Sequence, residues 1–237
     1  YLSWAEVVAL LGRMVRFVRR HSGQPQLGML GYCMGGTLAA IHTALAPDTI
    51  AALVNLAGPI DFSQGGTLRE LVDPRWFDAD AIADAGNVAP LQMQSGFVAL
   101  NQLRKRFNPA RRVDRFGNPE GGARNQALEG WASDNIPFPG EAYRSYISKL
   151  YQANELYEGS HHVAGRRVDL GAIDCPLLTA VTSRDGICPP PAALGLPARV
   201  SSTDTATLEI PGGHVGAVVG KKAPKILYPA LVKFFGE

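Results

Sequence analysis

The chain has 237 residues, of which 46% are hydrophobic and 19% charged, with a formal net charge of +2. That length can bury one sizeable core, or a core with a subdomain; the near-neutral charge carries no nucleic-acid signature, and no apolar run reaches membrane-spanning length. Its three cysteines, Cys33, Cys175 and Cys188, have neither disulfide nor metal-ligand spacing, which fits a reduced, cytoplasmic setting.

Ser3 is placed to cap a helix predicted from about Trp4 to Arg20. Val7, Val8, Leu11, Met14, Val15 and Val18 recur on it at helical spacing, and its arginines read as a solvated face. After His21-Ser22-Gly23 the stretch Leu27 to Leu38 reads Leu-Gly-Met-Leu-Gly-Tyr-Cys-Met-Gly-Gly-Thr-Leu. A short strand, a tight turn and a helix running on to Leu45 are expected. The turn has the G-x-S-x-G form of a nucleophile elbow, with Cys33 in the serine position. Gly31 and Gly35 are expected to supply room around the outthrust side chain. The helix behind it points its N–H groups and positive dipole end at the turn, an arrangement that favours a thiolate and an oxyanion. Cys33 is the candidate nucleophile, and the backbone N–H of Met34 the candidate oxyanion donor. A buried small hydrophobe is the plainer alternative for a cysteine, but it leaves the flanking glycines unexplained. His42, on the following helix, reads as a surface or packing residue.

Ile50 to Ala57 is a continuous apolar run of the kind found in a strand covered on both faces, and helix followed by strand is the alternation of an α/β sheet. From Asp61 to Val168 glycine- and proline-rich turns separate short helical candidates at Gly96 to Arg106, Ala123 to Ser133 and Glu141 to Tyr157, with no convincing strand. In the last of these Tyr143, Tyr146, Ile147, Leu150, Tyr151 and Leu156 form one apolar stripe. The basic cluster Arg104, Lys105, Arg106, Arg111, Arg112 and Arg115 reads as a solvated face, and His161 and His162 as exposed loop histidines without a third metal ligand.

Cys175 to Thr182 is a further apolar run that reads as a strand, ending at Ser183-Arg184-Asp185-Gly186, a loop that carries Asp185. Thr205 to Ile210 alternates and runs into Pro211-Gly212-Gly213-His214, and a helix from Pro224 to Phe235 closes the chain with Ile226, Leu227, Leu231 and Phe234 facing the sheet. Cys33, Asp185 and His214 stand in the nucleophile, acid, base order of α/β hydrolases. His214 would take the thiol proton while Asp185 fixes the imidazole tautomer, and the thiolate would attack an acyl carbonyl. The expected architecture is the C-terminal part of an α/β-hydrolase fold. Residues 1–60 and 169–237 would form the core and residues 61–168 a large, mainly helical cap. The strands that ordinarily precede the elbow, one of whose loops gives the second oxyanion N–H, are expected to be absent.

Gly31-Tyr32-Cys33-Met34-Gly35-Gly36, Val54 to Phe62, Trp131 with Asp134-Asn135-Ile136-Pro137, Val168-Asp169-Leu170 before Cys175-Pro176, Asp185, and Gly212-Gly213-His214-Val215-Gly216 together resemble the catalytic domain of polyhydroxyalkanoate synthases. The resemblance implies polymerisation of (R)-3-hydroxyacyl-coenzyme A into a polyester held as a thioester on Cys33, with coenzyme A leaving and no separate cofactor. It also implies that Asp185 and His214 help activate the substrate hydroxyl. A homodimer, a second synthase subunit and work at the surface of cytoplasmic granules follow from the same likeness. Gly186-Ile187-Cys188-Pro189 departs from the Asp-His-Ile-Val-Pro run common in that family. The alternative is a Cys-dependent hydrolase, a thioesterase or an esterase of the dienelactone hydrolase kind, which shares the Gly-Tyr-Cys elbow. The long span from Cys33 to Asp185 does not suit that compact family.

Overall fold

The computed structural model describes residues 2–93, 130 and 134–236. Helix α1 (Trp4–Ser22) begins at Ser3 in a reciprocal capping box: Glu6 N–H donates to Ser3 Oγ, and Ser3 N–H donates to Glu6 Oε2 at 2.7 Å. It stops at Gly23, whose φ of 69° is left-handed. Trp4, Val8, Gly12 and Val15 are its buried stripe. Met14 and Val18, expected on that face, are exposed, because the line of contact with the rest of the molecule follows Trp4 to Val15, one step round the helix.

Four strands form one parallel sheet. They are β1 (Leu27–Tyr32), β2 (Ile50–Leu56), β5 (Leu177–Thr182) and β6 (Thr205–Ile210), paired in the order β1-β2-β5-β6. Parallel neighbours need crossovers. Helix α2 (Met34–Leu45) makes the first, and α7 (Pro190–Leu194) lies in the last. The inner strands carry the apolar runs: every residue of β5 is buried, whereas β1 and β6 alternate or face solvent. The C-terminal helix α8 (Leu227–Gly236) seats Leu227, with Ile226 and Leu231 partly buried beside it, against Leu56, Ala180 and Ile210.

The described residues of the link from β2 to β5 include four short helices: α3 (Gly66–Leu71), α4 (Ala79–Asp84), α5 (Gly140–Ser145) and α6 (Glu155–Glu158). Arg144 on α5 pairs with Asp80 and Asp84 on α4, and α5 also packs on α1. The expected helix over Glu141 to Tyr157 is not uniform. Residues Tyr146–Gln152 are wound as a π-helix, and Asn154, at φ 51°, breaks the chain before α6. A hairpin of β3 (His162–Val163) and β4 (Arg166–Arg167) lies where no strand was expected, since two-residue arms are too short to show alternation. His161 is fully buried rather than exposed, because its Nδ1 is 3.1 Å from Glu155 Oε2 and its carbonyl accepts from Val168 N–H. The helical candidate Gly96 to Arg106, nearly all of Ala123 to Ser133, the basic cluster and Trp131 lie outside the described residues.

Candidate active site

Cys33 sits between β1 and α2 with φ 56° and ψ −129°, a conformation unfavourable for any residue with a Cβ. Its N–H donates to Leu56 O at 3.0 Å and its carbonyl accepts from Gly36 N–H at 2.8 Å, so both sides of the bend are tied to the sheet and helix. Room for the bend comes from Gly31 and Gly36. A Cβ on Gly31 would fall 2.2 Å from Gly35 O, and one on Gly36 would fall 2.2 Å from the Asn55 side-chain oxygen. Gly35, expected to supply that room, faces open space instead. Met34 opens α2, and the first N–H groups of a helix have no intrahelical acceptor.

Asp185 follows β5. Its Oδ1 accepts from the N–H groups of Ile187 and Cys188, both at 2.9 Å, and its Oδ2 accepts from Thr182 Oγ1 at 2.9 Å and lies 2.7 Å from His214 Nδ1. Burial opposes its charge, but the His214 hydrogen bond and the backbone N–H groups outweigh it and hold the carboxyl below its usual range. His214 follows β6, on a loop zipped to the acid loop by Arg184 N–H donating to Gly212 O. Burial disfavours its charged form as well. The Asp185 hydrogen bond, and after it the hydrogen bond and charge of Cys33, overcome this and push its pKa up to about 9. With Nδ1 engaged by Asp185, the buried Nε2 is the ring nitrogen left to face Cys33. Tyr32, next to Cys33, stacks on the imidazole at 5.0 Å between centroids and donates its hydroxyl to His214 O at 3.2 Å. Thus the Cys33 elbow and the loops of Asp185 and His214 lie at the carboxyl ends of β1, β5 and β6 in one parallel sheet, the edge where open α/β sheets bind ligands.

Thr182, Tyr32 and the N–H of Cys188 are supports that pattern reading did not single out. Thr182 looks like the last residue of an apolar run, and only its hydroxyl, turned to Asp185, reveals it. Cys175 and Cys188 are buried thiols whose pKa burial raises, the state expected of unreactive cysteines. His42 is buried in packing, 3.6 Å from where a Cβ on Gly12 would lie. Among the described residues no group of His, Cys, Asp and Glu is arranged to hold a metal ion. A wide cleft lined by Gly28, Ala52, Pro176, Leu178, Leu208 and Phe234 lies toward the opposite ends of the strands and includes none of the three candidate residues.

A parallel sheet with a strained strand-to-helix turn at Cys33, followed in chain order by the loops that carry Asp185 and His214, is the arrangement of an α/β-hydrolase fold. The sequence profile of the alpha/beta hydrolase fold matches residues 7–220, and the chain belongs to that family. Solved structures agree on the fold. A putative non-heme bromoperoxidase from Mycobacterium tuberculosis superposes with a TM-score of 0.58 at 16% identity, over 99% of this chain and 74% of its own. A monoacylglycerol lipase from Paleococcus ferrophilus gives 0.55 at 13% identity, over 98% and 75%. Within the family, the resemblance read from the sequence is borne out. The poly(3-hydroxyalkanoate) polymerase subunit PhaC of Haloferax mediterranei is 31% identical over 98% of this chain and 48% of that protein. The subunit of the same name from Allochromatium vinosum is 31% identical over 96% and 64%. The chain therefore spans between about half and two thirds of the length of these relatives.

Proposed function

We propose that this chain carries the acyl-transfer centre of a polyhydroxyalkanoate synthase acting on (R)-3-hydroxyacyl-coenzyme A. The observation that carries the reading is the 2.7 Å Asp185–His214 pair beside a cysteine held at positive φ on an elbow, in a chain similar to polymerase subunits. His214 Nε2 takes the Cys33 thiol proton and the sulfur attacks the thioester carbonyl. Negative charge gathers on the carbonyl oxygen beside the Met34 N–H. The carbon–sulfur bond to coenzyme A then breaks, and His214 returns the proton to the departing thiolate, leaving an acyl-Cys33 thioester. In elongation His214, oriented by Asp185, takes the proton of a 3-hydroxyl group. That oxygen attacks the acyl carbon, forming an ester and releasing the Cys33 sulfur. Coenzyme A enters as part of the substrate, and no separate cofactor takes part. Homodimerisation, a second synthase subunit and work at the granule surface belong to the same proposal.

The test is to incubate full-length protein with (R)-3-hydroxybutyryl-coenzyme A and follow polymer, free acid and the mass of the Cys33 peptide. Polymer with acylated Cys33 is expected, and Cys33→Ala should give neither. Free acid without polymer would reject the synthase reading in favour of a Cys-dependent hydrolase, since a synthase must keep water from its acyl-enzyme.

A further inference from the structure

The segment after β2 leads from the elbow to an aromatic cluster that the proposed chemistry does not use. Thr37 Oγ1, in the first turns of α2, donates to Pro59 O at 2.7 Å, and a Cβ on Gly58 would lie 2.8 Å from Cys33 O, so this segment runs directly beside the nucleophile turn. Three residues beyond Pro59, the fully buried Phe62 meets Tyr151 at 4.8 Å and Tyr146 at 6.0 Å between ring centroids, edge to face with both. Phe62 is held there by its N–H, which donates to Asn154 Oδ1 at 2.8 Å.

The two tyrosines are five residues apart. On an α-helix that spacing turns side chains well away from each other. On the π-wound turn, continued by the Ala153 N–H to Ser148 O bond, residues i and i+5 adjoin, and the rings stand 5.4 Å apart at 78°. Burial first, with the charge of Cys33 among the lesser causes, raises the pKa of both phenols, so both stay protonated; the two share a side-chain hydrogen bond, which leaves the Tyr151 hydroxyl proton for a ligand. Their ring neighbours Phe62, Phe138 and Trp4 are aromatic, and the Trp4 indole N–H is itself buried without an acceptor. A wall that is otherwise apolar, with a few placed donors, selects a ligand by its oxygens.

In the proposed reaction the carbonyl oxygen is served from the α2 side by Met34. Both phenols lie close enough to Cys33 for its charge to act on them, and the segment from Gly58 to Phe62 links the nucleophile turn to their rings. We propose that Tyr151, supported by Tyr146, is a specificity-determining residue that donates a hydrogen bond to an oxygen on C3 of the acyl group bound at Cys33. The site would thereby take 3-hydroxyacyl thioesters in preference to plain acyl thioesters. This rests on the nucleophile reading of Cys33.

The experiment is single-turnover acylation of Cys33 in the full-length protein, read by intact mass and coenzyme A release, with (R)-3-hydroxybutyryl-coenzyme A and butyryl-coenzyme A in parallel. The wild type should prefer the hydroxylated ester by about tenfold or more. Tyr151→Phe should lose most of that preference by slowing the hydroxylated ester alone, and Tyr146→Phe should lose part of it, with thermal unfolding midpoints showing that both variants fold. Equal slowing of both esters, or an unchanged preference in both variants, would overturn the assignment. A wild-type chain whose Cys33 takes neither ester would instead overturn the nucleophile reading and the assignment with it.

Discussion

Asp185 has no spare acceptor capacity: a carboxylate offers about four lone-pair sites, and Ile187, Cys188, Thr182 and His214 occupy all four. Removing the Thr182 hydroxyl should leave one site empty in a buried place. Thr182→Val is expected to cost about 1 kcal/mol of stability and to slow Cys33 acylation by up to about tenfold, measured by urea unfolding and single-turnover mass shift. The pair also sets a pH dependence. Because the folded pKa of His214 is raised to about 9 from an ordinary 6.5, the stability it contributes is fully present below pH 6.5 and is lost as pH rises through about 9. Asp185, whose pKa is lowered, contributes fully above the ordinary carboxylate range and loses its share as pH falls below that range toward its own lowered pKa. The stability difference between wild type and Asp185→Asn should therefore shrink between pH 6.5 and pH 10, as read from urea midpoints. Cys33, Asp185 and His214 were legible in the sequence because each ends a strand and two of them stand among glycines. Thr182 and Tyr32 were not, since a hydroxyl at the end of an apolar run has no pattern of its own.

At the scale of elements, the turn at Cys33 was legible as a strand, a bend and a helix, and Gly31 was rightly expected to give it room, but the second close approach was assigned to Gly35 instead of Gly36. Gly31 and Gly36 are the positions of close approach, where a methyl group would overlap backbone or the buried Asn55 side chain. Gly36→Ala should cost about 3 kcal/mol or more and expel the thiol from register, whereas Gly35→Ala, with open space before it, should fold with a wild-type midpoint in thermal unfolding. The π-wound turn could not be read from periodicity. Tyr143, Tyr146, Ile147, Leu150 and Tyr151 fit an α stripe well, and the shift to i+5 bonding is settled by packing of Tyr146 and Tyr151 on Phe62 and by the Asn154 links to Phe62 N–H and Asp61 Oδ1. These last contacts also give a physical role to the Pro59-Ile60-Asp61-Phe62 run: the Ile60 and Asp61 N–H groups donate to Ala192 O, so one short segment joins β2, α7 and the turn before α6.

For the whole molecule, the alternation of apolar runs with helical stretches was enough to foresee a parallel sheet, because inner strands buried on both faces leave an unbroken signature. Which face of α1 would be covered was not foreseeable, since its apolar residues extend over more of the surface than its neighbours cover. Leu10, Met14, Phe17 and Val18 lie together in solvent, Phe17 at 68% exposure. A contiguous apolar patch of this kind promotes association. Phe17→Glu combined with Met14→Glu is expected to lower light scattering of the chain at high concentration without shifting its unfolding midpoint. The pairing of β2 directly with β5, across everything from Leu56 to Leu177, bears on biosynthesis. Contacts so distant along the chain form late. A ribosome releases the Cys33 bend long before residues 185 and 214 exist, so the proposed nucleophile has no imidazole beside it until the last strands have been translated and have closed the sheet.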